Sequence, residues 1–138
     1  MSFVVDASIA LAWLLDEGND YANRVMDRLP RTRAIAPALW PTEVANGLLM
    51  AERRKRIVAD DAAHLLQLFN GLAVDIADDQ PPLMDIFATA KRLRLTVYDA
   101  SYLSLAQHLK LPLASLDQQL LAAAAASGVS LFTAAESG

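Results

Sequence analysis

Three aspartates stand where an apolar run gives way to a helix-like pattern. Residues 5–12 read VDASIALA, 98–106 read YDASYLSLA and 113–123 read LASLDQQLLAA, which places Asp6, Asp99 and Asp117 at similar junctions. A carboxylate just ahead of a helix accepts the free N–H groups of its first turn, so each of these alone reads as a helix cap. Three together point further. In an open parallel sheet the C-terminal strand ends lie on one edge, and ligands bind in the crevice outside it. Carboxylates gathered there repel unless something positive sits among them. The chain has no cysteine, and neither His64 nor His108 lies within eight residues of these aspartates. An oxygen-only donor set favours a hard cation, Mg²⁺ or Mn²⁺. A fourth acid, Glu43, lies in WPTEVANGLLMAE (40–52), an otherwise apolar helical run. Asn46 and Gly47 share its face. The bland alternative for Glu43 is a favourable place near the positive end of the helix dipole.

The elements that must position these acids follow from the periodicity. Strands are expected at 3–5, 33–37, 73–77, 95–98 and 113–115, with a last one at 129–132. Helices are expected at 8–15, at 20–29 before Pro30, and from Pro41 to Arg56. Further helices are expected from Asp60 to Leu72 with Asp60 or Asp61 as cap, from Pro81 and Pro82 to Arg94, from Ser101 to Leu109, and over the alanine-rich 118–126 up to Gly128. Strands alternating with helices indicate an α/β fold with a parallel sheet.

The 138 residues predict a single domain over 1–138 with a core of its own, since 54% of them are hydrophobic. No long run is free of polar breaks, so no membrane span is expected. The opening MSFVVDAS lacks the basic start of a signal peptide, and a cytoplasmic protein is the simplest reading. Without cysteine, disulfides, thiolate catalysis and cysteine-ligated zinc are excluded. A net charge of −4 is unlike the basic balance of most nucleic-acid binders. If four of the 16 carboxylates belong to a metal site, the remaining 12 match the 12 Lys and Arg, and a locally neutral body can take a phosphodiester.

Asp6 in VVDASI, Glu43 in WPTEVANGL, Asp99 in VYDASYLSLA and Asp117 in ASLDQQL resemble, in order, the acidic pattern of the PIN domain. The pattern is most similar to the small toxins of VapBC toxin–antitoxin systems, and the resemblance spans essentially the whole chain. It implies a three-layer sandwich with a central parallel sheet of four or five strands flanked by helices. It also implies a Mg²⁺- or Mn²⁺-dependent endoribonuclease, an antitoxin partner of the VapB kind and a homodimer. Hydrolysis of a phosphodiester needs an activated water and charge neutralisation on the phosphate, which divalent ions supply. On this reading Asp6 and Asp99 are the direct ligands, and Glu43 and Asp117 act through water or a second ion. Ser8, Asn46 and Ser101 are candidate donors to the phosphate or metal shell, although Ser8 and Ser101 equally suit helix starts.

Arg53 and Arg54, in the run RRKR (53–56), are candidate phosphate contacts, as are Lys91, Arg92 and Arg94. All of them also suit helix C-termini. Tyr98 and Tyr102 could stack a base or simply pack. Trp13 and Trp40 are expected in the core or an interface, and the apolar helices around Leu14, Leu15, Leu48, Leu49 and Met50 suggest a covered surface. Two rivals stand beside the ribonuclease reading. A dehalogenase-type phosphatase needs Asp-x-Asp where this chain has Asp6-Ala7-Ser8, and a phospho-receiver needs an acidic pair and a late Lys that are not evident. A non-catalytic RNA- or protein-binding module on the same fold is the other alternative. Phosphate-binding glycine loops of the G-x-x-x-x-G-K-[ST] and G-x-G-x-x-G types are absent.

Overall fold

Short β-branched and aromatic runs pair side by side, and longer amphipathic segments cover them. The structure is a computed structural model and describes residues 1–134. Its four strands are β1 (Ser2–Val5), β2 (Arg33–Ala36), β3 (Val74–Ile76) and β4 (Leu113–Ala114). They form one parallel sheet in the order β3-β2-β1-β4, with Val4 opposite Ile35 on one side and Leu113 on the other. The helices are α1 (Ala7–Leu14), α2 (Asp20–Asp27), α3 (Trp40–Arg53), α4 (Ala59–Asn70), α5 (Leu83–Leu93), α6 (Val97–Leu109) and α7 (Gln118–Ala126). Two helical groups flank the sheet: α1 packs with α2, α3 and α4, while α6 packs on β1 and β4 with α5 and α7 against it.

The core centres on β1, whose Phe3, Val4 and Val5 are buried with Ile9, Leu103, Leu105, Leu113 and Leu120. A strand buried on both faces must be apolar throughout, which is why FVV shows no alternation. One glycine sets a helix–helix distance. A Cβ at Gly47 would collide with the Leu11 side chain, so its absence lets α3 close onto α1 and brings Glu43, one turn earlier, toward the end of β1.

Two expected strands are not formed. Residues 97–98 open α6 instead, with Thr96 as N-cap accepting from the Asp99 N–H at 3.0 Å. Arg94, the C-cap of α5, is in the left-handed conformation, φ 58°, and only Arg94, Leu95 and Thr96 separate two helices. A β-branched run there loses to a threonine cap. Residues 129–132 make an isolated parallel bridge, Leu131 with Leu113, because β4 offers only two residues to pair with. The segment is held by side chains as well: Phe132 stacks on Phe3 with ring centroids 4.0 Å apart. The aspartates expected to cap α4 lie inside its first turn, and Val58 at the cap position makes no side-chain bond. Asp60 and Asp61 there favour the helix through its dipole. Pro82 is likewise the residue before α5, which begins at Leu83. Helix ends expected at Leu29, Arg56 and Leu72 fall two to three residues earlier.

Candidate functional site

The strand order reverses direction between β1 and β4, since β2 and β3 extend from one side of β1 and β4 lies on the other. The crevice outside the carboxyl ends of such a pair is where open α/β sheets bind ligands. Asp6 follows β1 directly and Asp117 follows β4 by three residues. Both are N-caps: Asp6 accepts from the Ile9 N–H at 3.3 Å and Asp117 from the Leu120 N–H at 3.0 Å. The cap role and the crevice position are therefore both true of these two. Asp99 differs. It lies in the first turn of α6, capped by Thr96, and no strand leads into it.

Two serines tie the loops after β1 and β4 together. Ser8 Oγ donates to Asp6 Oδ1 at 2.6 Å and accepts from the Leu116 N–H at 2.9 Å. Ser115 Oγ donates to Asp6 Oδ2 at 2.5 Å and accepts from the Asp117 N–H at 3.0 Å. Asp6-Ala7-Ser8 and Ser115-Leu116-Asp117 are thus mirror-image motifs, each hydroxyl serving both loops. The Trp40 indole N–H adds a bond to the Asp6 carbonyl at 3.1 Å, fixing the start of α3 over the same point. Glu43, one turn on, accepts from the Tyr102 hydroxyl at 2.5 Å.

Burial pushes the Asp6 carboxyl up to about 6 against the pull of the two serines, and the Glu43 charge adds to the rise. Asp99 is also raised, by burial first and then by the charges of Asp117 and Glu43. The Tyr102 phenol is pushed up by burial, by its bond to Glu43 and by the charges of Glu43, Asp6 and Asp99. The four acids therefore share one field, with Glu43 felt by both ends of the set. No ion pair among the described residues includes any of them: the three pairs are Arg33 with Asp75, Arg56 with Glu17 and His108 with Asp79.

This donor set suits a hard cation, being all carboxylate and lacking a positive partner. Among the described residues, no three acidic side chains are gathered closely enough to enclose an ion as they stand. The two observations agree for an ion such as Mg²⁺, which keeps several waters and takes one or two carboxylates directly.

Other expected residues divide. Asn46 lines a groove of about 370 Å³ with Leu39, Thr42, Glu43 and Tyr98. Ser101 does not donate into it: its hydroxyl bonds to the Val97 carbonyl of its own helix at 2.8 Å. Arg53 and Arg54 are exposed at the far end of α3, ten residues from Glu43. That is about 15 Å of helix, so the structure does not bring them among the acids. Sequence reasoning missed Ser115, which it assigned to a strand, and the tie from Tyr102 to Glu43. The first had a signal, the inverted spacing of Ser and Asp around 115–117. The second had none, since the partners are 59 residues apart.

A PIN domain family model matches residues 3–127. A VapC ribonuclease of Mycobacterium bovis is 35% identical over 119 residues, covering 85% of this chain and 87% of the relative. Ribonuclease VapC3 of Pyrobaculum aerophilum is 34% identical over 125 residues, covering 87% and 92%. The crystal structure of PAE2754 from Pyrobaculum aerophilum superposes with a TM-score of 0.69 at 27% identity, covering 89% of this chain and 84% of that one. VapBC2 from Rickettsia felis, bound to a promoter DNA fragment, superposes at 0.64 with 11% identity over 96% and 98%, a likeness of fold alone.

Proposed function

The chain belongs to the PIN domain family, and from that premise we propose that it is the ribonuclease toxin of a toxin–antitoxin system. One PIN domain over 1–138 carries a single site, and Asp6, Glu43, Asp99 and Asp117 make it dependent on Mg²⁺ or Mn²⁺. The observation that supports this reading is that Asp6 feels the charge of Glu43, and Asp99 those of Asp117 and Glu43, with no cation among their partners in the described residues. Asp6 and Asp99 would hold the ion, and Glu43 and Asp117 would act through water or a second ion. When bound, the ion supplies an activated water and neutralises charge on the phosphate and leaving oxygen. Ser8 and Ser115 fix both oxygens of Asp6, so its carboxylate is oriented before any ligand arrives. Tyr102 does the same for Glu43.

The partners follow the same reading. A VapB-like antitoxin and a second copy of the chain each need apolar surface. Leu83, Met84 and Phe87 on α5 supply some of it, with Met84 77% exposed. A monomer at high concentration by light scattering would remove the second copy. For localisation, no helix among the described residues is long and apolar enough to cross a membrane.

The test is cleavage of a mixed RNA pool by antitoxin-free protein, with Mn²⁺ and with EDTA, beside Asp99→Asn. Cutting that needs the metal and is lost in the variant is expected. Equal cutting in EDTA would remove the metal, and equal cutting by Asp99→Asn would remove the site. A non-catalytic binding module is the second reading, and it is compatible with no three acids enclosing an ion as they stand among the described residues. RNA binding without any cutting or Mn²⁺ uptake would decide for it.

A further inference from the structure

Tyr98 and Tyr102 stand one helical turn apart on α6 and are treated in opposite ways. Tyr102 is buried, with its hydroxyl bonded to Glu43. Tyr98 is 61% exposed, and its hydroxyl has no partner. The groove it lines with Leu39, Thr42, Glu43 and Asn46 contains two more polar side chains, Thr42 and Asn46, that also make no hydrogen bond. An aromatic face, an aliphatic side chain and unspent donors and acceptors thus surround one opening. That opening shares Glu43 with the acidic set, and Tyr98 is the sequence neighbour of Asp99.

We propose that this groove is a subsite for one unpaired nucleobase of the RNA, next to the phosphate presented to the acids. The inference rests on the ribonuclease reading, since the site it adjoins is the one proposed to cut. Charge selects which part of a nucleotide can enter. Glu43 in the wall disfavours a second phosphate, whereas the uncharged base tolerates it. Stacking on an aromatic side chain requires a base out of its duplex, because a base inside a duplex is already stacked on both faces by its neighbours. Tyr98 supplies the face and Leu39 an apolar side. The Asn46 amide and Thr42 hydroxyl each offer both a donor and an acceptor to the edge of the base. Tyr98 therefore contributes affinity for any base, and Asn46 contributes preference among bases.

The experiment has two arms. In the first, Tyr98→Trp is titrated with a short single-stranded oligoribonucleotide and with an abasic oligomer of the same length. The unsubstituted protein reports the background from Trp13 and Trp40. Quenching by the base-bearing strand and not by the abasic one is expected. In the second, cleavage in Mn²⁺ is compared for wild type, Tyr98→Ala and Asn46→Ala. Tyr98→Ala should raise KM by about 5- to 100-fold, the range that loss of one base–aromatic stack spans. Asn46→Ala should change which base flanks the cut. Normal cutting with an unchanged KM in Tyr98→Ala, or equal quenching by the abasic strand, overturns the subsite and leaves the ribonuclease standing. Base-dependent quenching in a protein that cuts no RNA keeps the subsite and removes the ribonuclease. Neither quenching nor cutting removes both.

Discussion

The site has two walls built by different rules. On the β1–β4 wall, Asp6 and Asp117 cap helices, and Ser8 and Ser115 join them into a buried network with every hydroxyl bonded. On the α3–α6 wall, Glu43 has a single hydrogen bond, from Tyr102, and Asn46, Thr42 and Tyr98 have none. One wall serves the fold and the site with the same atoms. The other is held in place by helix packing, which includes a close approach of Gly47 to the Leu11 side chain, and leaves its polar groups for a ligand. Substitutions on the first wall should therefore mix stability with activity, and those on the second should separate them.

The largest separation is expected at Asp99. Asp99→Asn should lower metal-dependent cleavage by on the order of 100-fold or more, since it removes a charge the ion needs. Its melting temperature should hold or rise, because burial and the charges of Asp117 and Glu43 already disfavour this carboxylate. A cleavage loss accompanied by unfolding would erase the distinction between the walls. Next is pH. The Asp6 carboxyl rises from 3.8 to about 6 on folding, so its contribution to stability is fully present below 3.8 and is lost as pH rises through about 6. At roughly 1.4 kcal/mol per pH unit of displacement, Asp6→Asn should gain roughly 2–3 kcal/mol relative to wild type between pH 4 and pH 7 without divalent ions. Parallel denaturant midpoints across that range would count against a buried charged Asp6. Asn keeps the cap, so the gain is not masked.

Ser115→Ala comes third. It strips one oxygen of Asp6 and the Asp117 N–H of a partner, which costs about 1–3 kcal/mol by urea unfolding. Ser101→Ala, whose hydroxyl only bonds back to Val97, should cost less and leave cleavage intact. Equal losses would mean that Ser115 merely fills space. The smallest effect is at Arg53 and Arg54. Replacing both by Gln should change stability by no more than about 0.5 kcal/mol. Because they lie a helix length from Glu43, kcat should be unchanged; a fall in kcat would bring them into the site after all.

The same two walls differ in how far the sequence reveals them. Asp6 and Asp117 stand out because a cap is a local event, written within four residues of chain. The α/β class and the parallel sheet were legible for a similar reason, the alternation of short apolar runs with amphipathic ones. For Asp99 the expected element was wrong. Its resemblance to Asp6 suggested a strand at 95–98, whereas Thr96 caps a helix there and α6 delivers the acid instead. The strand at 129–132 failed because its pairing length depends on β4, which no local pattern reports. What joins the walls was not legible at all. Ser115 to Asp6 spans 109 residues and Tyr102 to Glu43 spans 59, and such pairings are decided by packing rather than by spacing.

On the proposed reading the crevice carboxylates are uncompensated until a divalent cation binds. Thermal melting at pH 7.5, with and without Mn²⁺, on wild type and Asp6→Asn puts that to the test. Wild type should gain several degrees when Mn²⁺ is added, while Asp6→Asn should melt higher than wild type without metal and respond little to it. A wild-type melt indifferent to Mn²⁺, or an equal shift in both proteins, would contradict the claim.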